Sequence, residues 1–403
     1  MTFLNNQTPP HILTLSLAAA VSPLAMNVYL PSLAEITNYF NTDTATTQLS
    51  VSLFLAATAA MQLVCGPLSD KFGRRPVMLG LFAIMLVATL LCIYATTIEM
   101  FLFARVMQAS AAVGIVLSRA IARDIIGGAQ AASMIGYVTM GMTLAPMLGP
   151  PIGGLLAESF GWQASFWLIF GFTVFVMIVS WFDLGETNRH KGASMSDTFK
   201  AWPDIIRSHR FWGYSLCCAF SSGAFFAFLG GGPLIAIQYY GLGPSETGLY
   251  FLFVAIGYML GNYIAGRFSV VTGLNSMMLM GNIIVVVGIA AGIALVLFLA
   301  KNPFTFFGAI FFLGLGNGMT LPNANAGIVN VRPQNAGAAS GLGGSMQIGG
   351  GALLAAFTGY VLIPEEGPIL MLIIMIATII AAILSALYVM HIDKLRSIEG
   401  TTH

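Results

Sequence analysis

Apolar residues run through this chain in long blocks, and twelve of these exceed the ~20 residues that a helix needs to cross a hydrocarbon layer of roughly 30 Å. They lie near 11–34, 47–68, 77–97, 99–121, 134–157, 163–184, 210–237, 246–267, 274–299, 303–326, 337–362 and 366–390. Polar residues gather in the short intervals between them. The pattern predicts an all-α membrane protein of twelve transmembrane helices, numbered here as spans 1 to 12. Glycine and proline interrupt many blocks, which bilayer helices tolerate where neighbours satisfy the freed backbone groups. The longest polar interval, Gly185 to Arg210, divides the spans six and six. This predicts an N-terminal six-helix half over 1–184, a cytoplasmic linker over 185–209 and a C-terminal six-helix half over 210–403.

Composition agrees with a membrane chain: 57% of the residues are hydrophobic and 8% charged, against roughly 25% charged in water-soluble domains. A net charge of +1 and the lack of any basic run give no sign of a nucleic-acid partner. Cys65, Cys92, Cys217 and Cys218 all fall inside apolar blocks without metal-ligand spacing and read as small core residues. The first block has no positive flank of the kind a secretory signal carries, so it is expected to stay as a helix.

Of the sixteen Lys and Arg, fourteen lie in or beside the even-numbered loops and the C-terminal tail, Lys301 falls in an odd-numbered loop, and Arg105 is inside span 4. By the positive-inside rule both termini are cytoplasmic. All fifteen acids fall toward one surface or the other, Glu35 and Glu99 among the outer ones and Asp70, Asp124 and Asp183 among the inner ones. None is left for the middle of the membrane.

A shift of 200 residues lays GPLSDKFGRRPVMLG, from Gly66, over GRFSVVTGLNSMMLM, from Gly266. Gly66/Gly266, Ser69/Ser269, Gly73/Gly273, Met78/Met278 and Leu79/Leu279 then coincide, each in the interval between the second and third spans of its half. The two halves read as a duplication, of the kind usually related by an axis along the membrane normal.

Three strings carry sharper signals. In GPLSDKFGRRPV the glycines Gly66 and Gly73 allow a tight turn, and Asp70, Arg74 and Arg75 place both signs of charge at the cytoplasmic surface, where ion pairs can form and break. On span 4, Arg105, Gln108, Ala112, Arg119 and Arg123 fall within about 60° of one another on a helical wheel, so one face of that helix is polar and basic. On span 5, Pro146, Gly149, Pro150, Pro151, Gly153 and Gly154 permit a kink and close helix approach.

These strings resemble the major facilitator superfamily. GPLSDKFGRRPV is similar to its loop 2–3 motif, LFARVMQASAA (Leu102 to Ala112) to its span 4 motif with Ala109 where glycine is usual, and APMLGPPIGG (Ala145 to Gly154) to the span 5 motif of its exporters. With PLAMNVYLPSL (Pro23 to Leu33) and SRAIARD (Ser118 to Asp124), the chain looks most like the bicyclomycin and chloramphenicol resistance (Bcr/CflA) branch of drug:proton antiporters. The resemblance implies the major facilitator fold of two pseudo-symmetric halves, and export of small amphiphilic drugs across a bacterial inner membrane by alternating access. It implies the proton gradient as energy source, no cofactor, a drug-like small molecule and the bilayer as partners, and a monomer without nucleic acid. The conformational switch it implies comprises Gly66, Asp70, Gly73, Arg74, Arg75, Arg119, Arg123 and Asp124, and Arg119 and Arg123 at the cytoplasmic end of span 4 are candidate partners for Asp70. Pro146, Gly149, Pro150, Gly153 and Gly154 form the antiporter motif, as hinge and seal, against the alternative of ordinary small-residue packing.

Arg105 lies about 9 Å and Asn27 about 12 Å below the outer ends of their spans. A buried arginine normally faces a partner or a watery cavity, or snorkels to the surface. In the implied fold spans 1 and 4 both line the cavity, so Asn27 and Arg105 are expected to be able to meet; the alternative for Asn27 is an interhelical hydrogen bond. The implied family usually has an aspartate at this position, and an asparagine cannot titrate. Candidate substrate-binding residues are therefore Asn27, Tyr29, Arg105 and Gln108, with an aromatic wall from Phe225 and Phe226 on span 7, where core or lipid-facing packing is the alternative. No HExxH, GxSxG, P-loop or metal cluster occurs in the sequence, which leaves a membrane-embedded enzyme little support.

Overall fold

The computed structural model describes residues 4, 9–125, 138, 145, 148–188, 202–299, 302–332, 336–363 and 367–400, with the side chains at 123, 336, 337 and 396–400 outside the description. Helix occupies every one of the twelve spans. Span 1 is Ile12–Asn27, a 3-10 turn Leu30–Ser32 and Leu33–Tyr39. Spans 2 and 3 are Thr44–Phe72 and Arg74–Ile93. Span 4 is Ile98–Gln108, a 3-10 turn Ala109–Ala111 and Ala112–Ile125. Span 5 is helical over 148–160, and span 6 is Gln163–Asp183.

After a short helix, Trp202–Ile206, span 7 is His209–Leu234 continued by a π turn, Ile235–Tyr239. Span 8 is Pro244–Tyr250 with Leu252–Thr272; spans 9 to 12 are Leu274–Phe298, Pro303–Val331, Ala336–Val361 and Ile369–Gly400. Among the described residues ten helices are long and apolar enough to cross a membrane. Span 5 is only partly described, and span 11, 26 residues long, is diluted by glycine.

The expected loop between spans 2 and 3 is almost absent. Helix continues through Ser69, Asp70 and Lys71 to Phe72, and a new helix starts at Arg74. Hydropathy ended span 2 early because its last turn is polar, yet a helix projecting out of an apolar layer keeps its backbone bonded whatever its side chains. Gly73 alone makes the corner, at φ 102°. Gly273 makes the same corner between spans 8 and 9 at φ 83°, with ψ 153° at both residues. A side chain is disfavoured in this region, which is why the duplicated position holds glycine twice. At the other end of span 2, Asp43 caps the helix by accepting from Thr46 N at 2.8 Å and Thr46 Oγ1 at 2.7 Å. These bonds hold its carboxyl below the usual aspartate range, so the cap is present above that range and lost on acidification.

The chain divides into two compact units, Met1–Thr198 with Gly243–Leu249, and Phe199–Leu242 with Tyr250–His403. In the first, span 4 packs on spans 1, 2 and 3, and span 6 on spans 1 and 3. In the second, span 10 packs on spans 7, 8 and 9, and span 12 on spans 7 and 9. Adding six to each span number of the first set gives the second, so the neighbour pattern repeats along with the sequence.

Each unit has a similar clasp, in which an aspartate of its last span ties that span to its first. Buried Asp183, closing span 6, accepts from Leu4 N (2.7 Å), His11 N (2.8 Å) and Thr14 Oγ1 (2.5 Å) at the start of span 1. Asp393, in span 12, takes Asn275 Nδ2 at 2.9 Å and pairs with Arg210 at 2.6 Å, with Tyr214 Oη at 3.3 Å. Thr14 and Tyr214 are 200 positions apart, the repeat length.

Candidate functional site

Arg105 is fully buried in the first unit. Its guanidinium lies between two rings, 4.3 Å from the centroid of Tyr29 and 4.4 Å from that of Phe54. Nε donates to Ser50 O at 3.2 Å, and Nη1 donates to Ala25 O at 3.2 Å and to Gln108 Oε1. Gln108 Nε2 in turn donates to Thr89 Oγ1 at 2.9 Å, and Tyr29 Oη lies 3.0 Å from Ser50 Oγ. One cation thus binds spans 1, 2 and 4, with span 3 joined through Gln108.

No carboxylate takes part in these bonds, and the geometry explains how the charge is held without one. Ala25 belongs to the last turn of Ile12–Asn27, whose carbonyls form the negative end of a helix dipole, and a cation there gains up to about 2 kcal/mol in a partly buried setting. The two π faces add about 0.5–2 kcal/mol each. Among the described residues Nη2 has no hydrogen-bond partner.

Span 1 breaks immediately after Asn27, where α-helix gives way to the 3-10 turn. Asn27 is buried, and its Nδ2 donates back to Pro23 O at 2.7 Å. The expected meeting of Asn27 with Arg105 is not among the described contacts: the amide turns onto its own helix, and the guanidinium is occupied by Ala25, Ser50 and Gln108. An intrahelical bond to the i−4 carbonyl forms without the lateral reach that the meeting requires.

Span 5 lies against this break. A Cβ on Gly149 would sit 3.4 Å from Asn27 Cβ, and one on Gly153 would sit 1.6 Å from Val28 O. Within the same unit, a Cβ on Gly154 would come 2.2 Å from Pro244 O, and one on Gly248 would come 2.4 Å from Pro150 O. The paired glycines therefore serve two backbones, Gly153 that of span 1 and Gly154 that of the segment Gly243–Leu249. Pro146 is outside the described residues.

At the junction of spans 2 and 3, Arg74 gathers the charges. It pairs with Asp70 at 2.5 Å and with Asp124 Oδ2 at 2.9 Å, and also donates to Ser69 Oγ. Its own amide donates to Glu186 Oε1 at 3.0 Å, and Asn188 Nδ2 donates to Asp70 O at 2.9 Å. Arg75 reaches Trp181 instead, donating to its carbonyl at 2.9 Å with the ring 5.2 Å away. Asp70 thus has Arg74, four residues on, as an ion-pair partner, and the Gly73 corner folds Arg74 back over it. The side chain of Arg123 lies outside the described residues. Gly66 carries the carbonyl that accepts from Ser69 Oγ at 2.7 Å, with no atom near its Cβ position.

In the second unit Phe226 is buried against span 11, where a Cβ on Gly351 would sit 1.9 Å from its ring, and Phe225 is half-buried beside it. Phe226 thus packs closely on span 11. Sequence reasoning missed Phe54, Thr89, Glu186 and Asn188. Phe54 and Thr89 sit in apolar blocks with no local mark, whereas Glu186 and Asn188 stand in the polar interval after span 6, where an acid next to an inner arginine cluster was a usable signal.

The family model for the Major Facilitator Superfamily matches residues 15–352, with a second match over 235–400. The chain belongs to the major facilitator superfamily. Among similar proteins are the bicyclomycin resistance protein homolog of Haemophilus influenzae, 26% identical over 89% of this chain and 91% of that protein, and multidrug resistance protein D of Escherichia coli, 27% identical over 88% and 89%. A chloramphenicol resistance protein of Pseudomonas aeruginosa is 32% identical over 67% of this chain and 64% of that one. These relatives carry the resistance names of the branch to which the span 1, 4 and 5 strings pointed. A solved bacterial homologue of the human lysosomal transporter Spinster superposes with a TM-score of 0.72 at 17% identity, covering 95% of this chain and 96% of that one, which extends the likeness in fold to the whole chain. This superfamily member is accordingly a multi-pass membrane transporter.

Proposed function

We propose that the protein exports small amphiphilic, amphenicol- or bicyclomycin-like drugs across the bacterial inner membrane by alternating access, with both termini cytoplasmic and the proton gradient as the driving force. The observation that carries the reading is the Asp70–Arg74–Asp124 cluster at the Gly73 corner, which stands where two helices must move together or part. A charge cluster that is intact in one arrangement and broken in another biases a two-state equilibrium. The resistance names of the relatives supply the substrate class. Asn27, Tyr29, Arg105 and Gln108 form the polar set beside the proposed substrate path, with Arg105 positioning spans 1, 2 and 4.

Asn27 favours a second reading, in which no proton is carried in span 1 and the protein is a uniporter or exports a natural metabolite. Purified protein in liposomes separates the two. Under an imposed pH gradient, drug should accumulate against its own gradient and protons should move in the opposite sense. Drug flux that only follows the drug gradient, with no proton movement, would leave the uniporter.

The switch has its own test. Asp70 is a third exposed and Arg74 retains Asp124, so Asp70→Asn should lower the transport rate by only about fivefold, the size expected when one surface ion pair worth up to about 1 kcal/mol is lost. Arg74→Ala removes the shared partner and should cost more. Rates in liposomes alongside drug affinity in detergent check this, and an unchanged rate in Arg74→Ala contradicts a switching role.

A further inference from the structure

The corner between spans 2 and 3 is capped from a distant part of the chain. Span 3 starts at Arg74 with glycine as its N-cap, no side-chain cap bond and no acid in its first turn, and span 2 ends at the same glycine. A helix start leaves amides unpaired and a helix end leaves carbonyls, so a carboxylate suits the first and a side-chain N–H the second. Three consecutive residues after span 6 supply both. Glu186 Oε1 accepts from the Arg74 amide at 3.0 Å, and Asn188 Nδ2 donates to Asp70 O at 2.9 Å and to Ser69 O at 3.4 Å. Between them, Thr187 Oγ1 donates to Asp124 Oδ2 at 3.4 Å, the oxygen that also accepts Arg74 Nε at 2.9 Å. Each member of the ion-pair cluster is thus bonded by one residue of this segment. The segment is itself shaped and anchored. The Asn188 amide donates to the same Glu186 Oε1 at 3.0 Å, which folds the three residues into a turn. Leu184 is fully buried, and Asp183 is bonded to the start of span 1. From Asp183 to Asn188 the exit of span 6 therefore bonds spans 1, 3, 4 and 2 in turn.

We propose that Glu186, Thr187 and Asn188 are positioning residues of the switch: they hold Arg74 between Asp70 and Asp124, and so set how fast the protein changes arrangement without touching what it carries. An arginine that pairs with two carboxylates at once gives up most of its rotamer freedom, and the loss is smaller when its backbone and its acceptors are already fixed. Two of the three bonds go to the backbone of Arg74 and Asp70, so they fix where those side chains start and leave their charges free to pair. The third steadies the carboxylate that Arg74 must reach across to span 4. The effect on transport rests on the export reading above; the effect on the helix ends does not.

The experiment compares wild type, Glu186→Ala, Glu186→Gln, Arg74→Ala and the double variant Arg74→Ala with Glu186→Ala, each as full-length protein in liposomes. Chloramphenicol flux gives rates, and hydrogen exchange read by mass spectrometry gives the opening of the helix ends. Glu186→Ala should lower the maximal flux by about fivefold, the size of one lost helix cap, at unchanged KM. Glu186→Gln keeps an acceptor for both amides and should restore most of that loss. In the Arg74→Ala background the same Glu186→Ala change should lower the flux no further, because a residue that acts through Arg74 then has nothing to position. Exchange should follow the same rule: residues 120–125, around Asp124, quicken in Glu186→Ala, and no further where Arg74 is already alanine. Equal losses in the two backgrounds would reduce Glu186 to a cap of span 3 and overturn the positioning role, as would an unchanged flux in Glu186→Ala. A wild type that moves no chloramphenicol contradicts the export reading instead, and the exchange pattern then decides the positioning role by itself. A Glu186→Ala protein that has lost its helical spectrum is replaced by Asn188→Ala, read with the same two comparisons.

Discussion

Gly153→Ala is expected to abolish transport. The added methyl would lie 1.6 Å from Val28 O, a backbone atom beside the span 1 break, so no side-chain rotation relieves it and one of the two helices must move. Overpacking commonly costs about 1–3 kcal/mol, and a collision with rigid backbone falls at or above the upper end. Gly149→Ala supplies the contrast, since its Cβ would make ordinary contact at 3.4 Å with Asn27. Membrane level, thermal midpoint in detergent and drug-resistant growth should all fall for Gly153→Ala and change little for Gly149→Ala. Equal behaviour of the two variants would show that span 5 does not abut span 1 at this point.

Arg105→Ala is the second large effect. It leaves Gln108 Oε1 without this donor and takes one bond each from Ala25 O and Ser50 O, at about 1–3 kcal/mol for each group left without a replacement, and opens space between Tyr29 and Phe54. Arg105→Lys keeps the charge but not the planar fork or its stacking between two rings, so it should remain well below wild type. A positioning role predicts a lowered thermal midpoint and parallel loss of every transported drug. A variant that keeps its midpoint and loses only some drugs would instead make Arg105 a substrate contact.

Arg105 also shows how far the sequence could be read. Its type, its depth and its shared face with Gln108 were legible, because a single cation in an apolar block stands out against the cost of burying it. Its partners were not: two of them are carbonyls, which every residue has, and the aromatic faces come from Tyr29 and Phe54, ordinary members of apolar blocks on other spans. Asn27 was legible as a departure from an acid, yet the rotamer that turns its amide to Pro23 is a local choice that no spacing reveals. For Asp70 the sequence held the charged residues but did not single out the Arg74 pair. Arg74 was in the same string, and the sharp corner at Gly73 is what brings it onto Asp70.

The sequence by itself determined the twelve helices, their grouping into repeated sixes, the glycines at 73 and 273 and the family, since burial in a bilayer and a left-handed corner each restrict which residues can stand at a position. The tertiary structure decided which groups meet: Arg105 with the broken end of span 1, Gly153 with Val28, and Glu186 with the start of span 3. Those contacts depend on how helices distant in sequence cross and rotate, to within an ångström or two, and many sequences with the same hydrophobic pattern satisfy the bilayer equally well.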